Sequence, residues 1–171
     1  MPWWRVLLAI VILPGTVTVA VPAWLLRGNA FDNVGWGHSF PALLVPLLLG
    51  AGLLSMGLWL MIKTIALFAT VGRGSLAPWD APRRLVVDGV YRHVRNPMIS
   101  GVAFVLAGET ALLGSSSLLT WFLVFLVING LYIPLVEERG LARRFGSDYL
   151  EYKANVPRWV PRHTPWIPPA R

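Results

Sequence analysis

The residues able to do chemistry gather in two short stretches of this chain. The first, residues 88–101, reads Asp88-Gly89-Val90-Tyr91-Arg92-His93-Val94-Arg95-Asn96-Pro97-Met98-Ile99-Ser100-Gly101 and runs straight into an apolar segment. Asp88-Gly89 signals a turn. Pro97 suits the first turn of a helix, where its missing N–H costs nothing, and Asn96 before it suits the N-cap. Arg95 and Asn96 then stand at the positive end of a helix, which favours a carboxylate or another electronegative ligand group. Gly101, one turn further, leaves room for a ligand or a second helix to approach. The same residues also fit a well-capped transmembrane helix whose arginines meet only lipid phosphates.

The second stretch opens with Glu137-Glu138 and runs through Arg139, Leu141, Arg143, Arg144, Phe145, Gly146, Tyr149 and Tyr152. Two adjacent carboxylates where an apolar segment ends are costly unless solvated or paired, so such groups are candidates for function. Pairing with Arg143 and Arg144, or with the arginines of residues 83–95, would satisfy them with no further role. Leu141 and Phe145 lie four apart, the spacing of an amphipathic helix that ends near Gly146. Tyr149 and Tyr152 follow on a second short helix. Glu109 is the one acid inside an apolar segment and faces either a polar cavity, a neighbouring helix or the outer interface. Asn129 reads as interhelical glue. The sequence has no Cys and three scattered His, so no metal site is expected. Neither a phosphate-binding glycine loop nor a Ser-His-Asp order is present.

What must position these residues is membrane-embedded helix. Of the 171 residues, 56% are hydrophobic and 13% charged, against about 25% charged in an ordinary soluble domain. The mean hydropathy is +0.60. One compact core of this size cannot hide that much apolar surface. A soluble enzyme, a disordered tail and a disulfide-stapled module are excluded. Four apolar stretches, Val6–Leu26, Pro41–Ala69, Met98–Leu113 and Leu118–Val136, predict about four transmembrane helices. The first is longer than a signal-peptide core and reads as a retained helix, kinked at Pro14-Gly15. Gly114 and the serines 115–117 join the last two into a tight hairpin. Loop 70–97 and tail 137–171 hold 12 of the 15 basic and six of the eight acidic residues. The positive-inside rule therefore puts both termini and the basic loop in the cytoplasm, and the net charge of +7 becomes a topology signal rather than a sign of nucleic-acid binding.

The two stretches, in this order and separated by one helical hairpin, resemble the integral-membrane family of isoprenylcysteine carboxyl methyltransferases and phospholipid N-methyltransferases. Gly89, Tyr91, Arg95, Asn96, Pro97 and Gly101 match the first family motif. Glu137, Glu138, Leu141, Phe145, Gly146, Tyr149, Tyr152, Val156, Pro157 and Arg158 match the second. Asn96 stands where the family more often has His, Ile99 where it has Tyr, and Pro134 where the prenylcysteine enzymes carry a substrate-binding Arg.

The resemblance implies an all-α, polytopic single domain over residues 1–171, ending in an amphipathic cytoplasmic tail. Residues 1–69 would form a variable first pair of spans and residues 80–162 a methyltransferase-like cofactor-binding half. It implies S-adenosylmethionine as methyl donor, held by Tyr91, Asn96, Pro97, Met98, Ile99, Gly101, Glu138 and Tyr149, with Glu137, Arg95 and His93 at the chemistry. The acceptor would be a lipophilic small molecule drawn from the membrane lipids: an isoprenoid carboxylate or thiol, or a lipid amine. A multi-pass protein of a bacterial-type inner membrane follows. Sterol-type reductases that bind NADPH look similar in their C-terminal half, and a non-catalytic membrane subunit on the same scaffold is a third reading.

Overall fold

A computed structural model describes residues 11–28, 41–72 and 84–169. Its described residues form helices and connecting turns, without a strand. A π-helical stretch, Val11–Ala20, runs into α1 (Val21–Gly28). Helix α2 (Leu44–Leu67) continues through a π turn, Phe68–Gly72. A 3-10 turn at Gly89–Arg92 leads to α3 (Pro97–Leu113) and α4 (Ser116–Tyr132). The π turn Ile133–Glu137 joins α4 to α5 (Glu138–Asn155).

Two of the helical runs, Leu44–Val71 and the one that starts at Ser116, are long and apolar enough to cross a membrane. The shorter apolar helices Ile12–Arg27 and Pro97–Leu113 pack with them. The described part of each of the four apolar stretches is therefore largely helical, and the architecture is that of a polytopic membrane protein. Large apolar side chains such as Leu48, Ile62, Val127 and Leu131 face outward from α2 and α4. In water that surface would be strongly unfavourable, and lipid is the solvent that accepts it. Val6–Ile10, the start of the first predicted span, lies outside the described residues.

Helices α2 and α3 share the most extensive interface of the molecule. It is built on glycine pairs spaced by seven residues, Gly50 and Gly57 against Gly101 and Gly108. A Cβ on Gly57 would stand 2.6 Å from the Gly101 carbonyl oxygen, so the two backbones touch. Small residues permit this close approach in membranes, where dispersion rather than water exclusion holds helices together. Val102, Val105, Leu106, Met61 and Phe125 complete the core. Trp121 reaches from α4 to donate its indole N–H to the Val17 carbonyl at 3.0 Å. That carbonyl lies in a π-helical stretch, and Pro22, five residues on, has no N–H to offer it.

The α3–α4 hairpin closes as its sequence predicts. Gly114 ends α3 in the left-handed region (φ 59°), and the Ser115 hydroxyl caps α4 by accepting from Leu118 N–H at 3.4 Å. Gly146, at φ 54° and ψ −129°, breaks α5 where the sequence places a helix end. Two expectations are corrected. Asn96 occupies the N-cap of α3, but its side chain makes no capping bond and donates to the Arg158 carbonyl at 3.4 Å. Asn129 donates to Phe125 O within its own helix rather than across helices.

Candidate functional site

After α5 the chain folds back across residues 92–95. Arg95 N–H donates to Pro157 O (2.9 Å), Arg162 N–H to His93 O (3.0 Å) and Trp166 N–H to Arg92 O (2.9 Å). The His93 ring adds a bond between Nδ1 and Arg162 O at 2.8 Å. Below this strap, Tyr152 donates its buried hydroxyl to the Tyr91 carbonyl at 2.8 Å and packs with Tyr149, Val156 and Trp166. Leu141 and Phe145 supply the apolar face of α5 that covers the same cluster. The spacing of four read from the sequence is thus the packing face.

The strap assembles an ion cluster around Glu138, whose side chain is 4% exposed. Oε1 accepts from Arg95 Nη1 at 2.9 Å and from Arg158 Nε at 2.7 Å. Oε2 accepts from Arg158 Nη2 at 3.0 Å and pairs with Lys153 Nζ at 2.8 Å. A carboxylate has about four acceptor positions, so these contacts saturate it. Burial alone would raise its pKa. The hydrogen bonds from Arg158 and Lys153 and the charge of Arg95 outweigh burial and hold the carboxyl at about 2. Three cations against one carboxylate leave an excess of two positive charges.

Arg95 is central to this cluster. Its side chain is 9% exposed, Nη1 also reaches the Tyr149 hydroxyl at 3.4 Å, and Nε is buried without a hydrogen-bond partner. It directly precedes the N-terminus of α3, whose first-turn N–H groups carry no side-chain cap. An electronegative group placed here would meet an open guanidinium donor, a helix end and net positive charge together.

Glu137 is half-buried beside this cluster. Burial, and next the charge of Glu138, raise its pKa. Tyr91 is buried edge-on to Phe68, with ring centroids 5.7 Å apart. The remaining sequence candidates on α3 divide between two faces. Met98 turns into the α2 interface, where Thr64 Oγ1 donates to its sulfur at 3.0 Å, and Gly101 lies against Gly57 and Met61. Pro97 is fully buried. Ile99 and Ser100 face the other way, into a cavity toward α4.

The sequence offered Glu138 either Arg143 and Arg144 or the arginines of residues 83–95; it pairs with Arg95 of the second group, and with Lys153 and Arg158 besides. Arg144 lies over the Phe145 ring, 5.3 Å from its centroid. Sequence reasoning reached Arg158 only as part of a motif ending and missed Lys153 altogether. The one local hint was the Tyr149–Lys153 spacing of four, which puts both on one face of the second half of α5. Glu109 sits in the last two turns of α3, with Oε2 buried and without a partner among the described residues. No group of three or more His, Cys, Asp or Glu is placed to hold a metal among the described residues.

Comparison with known proteins adds one match. A sequence model of the phospholipid methyltransferase family matches residues 45–148, more than half of the chain, from α2 through the first half of α5. No curated protein and no solved structure matches.

Proposed function

Because the chain belongs to the phospholipid methyltransferase family, a family of methyltransferases acting on lipophilic substrates, we propose that it transfers a methyl group from S-adenosylmethionine to a lipophilic acceptor at the cytoplasmic membrane face. The observation that carries this reading is the cluster at Glu138. It combines an excess of positive charge, a buried open donor on Arg95 and the uncapped start of α3. Those features fit the carboxylate of the donor's amino acid end. The donor's sulfonium supplies an already activated methyl group.

The protein's part is to bind, orient and shield. Glu138 gathers Arg95, Lys153 and Arg158, and those cations receive the donor's carboxylate. Lys153, 44% exposed, is the one member free to swing aside, so its ammonium can give way on Glu138 to the donor's own ammonium. Asn96 and Tyr149 edge the same space and suit the polar rim of the nucleoside. In-line methyl transfer then depends mainly on holding donor and acceptor in register. An acceptor that must first lose a proton would find a base in Glu137, the half-buried carboxylate beside the cluster. His93 fastens the strap, through its ring and its carbonyl, to Arg162.

Both termini and loop 70–97 face the cytoplasm in this reading, so a water-soluble donor arrives on the side where the cluster lies. Calorimetric titration of the purified protein tests it. S-adenosylmethionine should bind the wild type, and Lys153→Gln should weaken that binding at least tenfold while the protein stays folded. Binding of NADPH instead of S-adenosylmethionine, or unchanged affinity in Lys153→Gln, would overturn the proposal.

A further inference from the structure

A cavity of about 330 Å³ opens between α3 and α4. Ile99, Ser100 and Phe104 line it from the first two turns of α3, and Asn129 and Gly130 from the last turn of α4. Trp159, adjacent in sequence to the Glu138 ligand Arg158, also lines it. Its wall residue Ser100 bonds Asn96 O and Asn96 in turn donates to Arg158 O, so the cavity is tied to the ion cluster through two hydrogen bonds. Its rim residues Phe104 and Leu126 belong to the exposed apolar surface that faces lipid.

Its walls are mainly apolar. Ser100 spends its hydroxyl proton on Asn96 O at 3.1 Å, and the Asn129 amide donates to Phe125 O at 2.9 Å. With both side chains serving their own helices, the remaining surface is largely hydrocarbon. Gly130 presents no side chain to the cavity, and a Cβ built on it would stand in open space, with nothing within 4 Å. This differs from the glycines of the α2–α3 interface, where backbone fills the same space.

We propose that this cavity seats the apolar tail of the methyl acceptor as a single hydrocarbon chain, and that Gly130 is the residue that admits it. The inference rests on the methyltransferase reading above and deepens it. Three facts identify the occupant. The cavity is open at the depth of the apolar helices, where hydrocarbon is the solvent. Its wall is tied to the ion cluster by hydrogen bonds from Ser100 to Asn96 and from Asn96 to Arg158. Its volume lies at the small end of ligand pockets, enough for one chain and too small for a whole two-chain lipid.

The sequence has no cysteine, so Gly130→Cys introduces a unique thiol. Val127→Cys, one turn earlier on the exposed face of α4 (61% exposed), is the reference. Each variant is alkylated in nanodiscs with ethyl maleimide or with dodecyl maleimide. Methyl incorporation from isotopically labelled S-adenosylmethionine into total lipid extract is then read by mass spectrometry. The dodecyl adduct of Gly130→Cys should lower incorporation at least tenfold relative to its ethyl adduct, with calorimetric donor affinity unchanged within twofold. Both adducts of Val127→Cys should leave incorporation unchanged.

Equal incorporation for the two Gly130→Cys adducts, or an equal loss at Val127→Cys, would overturn the proposal. Where the unmodified wild type binds no S-adenosylmethionine, the methyltransferase reading itself has failed. The labelling rates then decide the cavity alone. A dodecyl-over-ethyl rate preference at Gly130→Cys several times that at Val127→Cys supports a seated chain, and equal preferences refute it.

Discussion

Replacing Glu138 by glutamine should destabilise the folded protein by about 3 kcal/mol at pH 7, and the difference should shrink in acid. The carboxyl is held at about 2 against an ordinary value of 4.5. A shift of about 2.5 units, at about 1.4 kcal/mol per unit, corresponds to about 3 kcal/mol of folding free energy. The group's folded pKa is depressed, so its contribution is complete above pH 4.5 and is lost as the pH falls toward 2. About 2 of those 3 kcal/mol disappear between pH 6 and pH 3. Glutamine keeps the shape and one acceptor oxygen, so packing changes little. What it removes is the charge that reconciles Arg95, Lys153 and Arg158 at one point. The magnitude agrees with the roughly 3–5 kcal/mol that follows from removing one partner of a buried ion pair. Denaturant unfolding in a mild detergent, for wild type and Glu138→Gln at pH 7, 5 and 3.5, measures it. Equal stabilities at pH 7, or a gap that does not narrow in acid, would refute the assignment of Glu138 as the electrostatic hub.

Four further outcomes follow. Gly57→Leu should cost about 3 kcal/mol or prevent folding, since its Cβ would lie 2.6 Å from the Gly101 oxygen and 2.7 Å from the Val105 nitrogen. Gly140→Ala, with nothing within 4 Å, should be neutral or stabilise by up to about 1 kcal/mol; thermal unfolding in detergent separates the two. Tyr152→Phe should lose about 1–2 kcal/mol by leaving the buried Tyr91 carbonyl without its donor, again read by unfolding. If Glu137 accepts a proton from the acceptor, methyl transfer should fall as the pH drops through its raised pKa, because the protonated carboxyl has no capacity left. Glu137→Gln should then be slow at every pH, and a retained acid limb in that variant's pH–rate profile would show that another group is titrating.

The interior of the α2–α3 pair shows how fold and site depend on each other. Arg95 and Asn96 are placed by the helix they precede, and that helix is seated by four glycines and by Met98 against Thr64. Met98, which the resemblance implies beside the donor, and Gly101, read from the sequence as room for a ligand or a second helix, turn toward α2, while Ile99 and Ser100 line the cavity on the opposite side. The motif therefore works on two faces at once: one locks the helix, the other lines the cavity beside α4.

Local composition and spacing determined a good deal by themselves: the four apolar helices, the Gly-Ser hairpin, the break near Gly146, and the concentration of ionisable residues in two segments. Each of these depends on residues close in sequence, where apolar length, turn chemistry and charge counts act directly. The partners of Glu138 were legible only in part: the arginines of residues 83–95 were offered as a group, without singling out Arg95 or reaching Lys153. Arg95 is 43 positions away, Arg158 20 and Lys153 15, and a dozen basic residues lie in the same two segments, 70–97 and 137–171. Which three converge is decided by the strap of backbone bonds from Pro157, Arg162 and Trp166 to residues 92–95. The faces of the membrane helices were equally hidden. In water an amphipathic stripe marks the inner face of a helix, but helices that are apolar all round carry no such mark. Only the close backbone contact of α2 with α3 decided that Gly101 would point inward and that the space beside Gly130 would stay open.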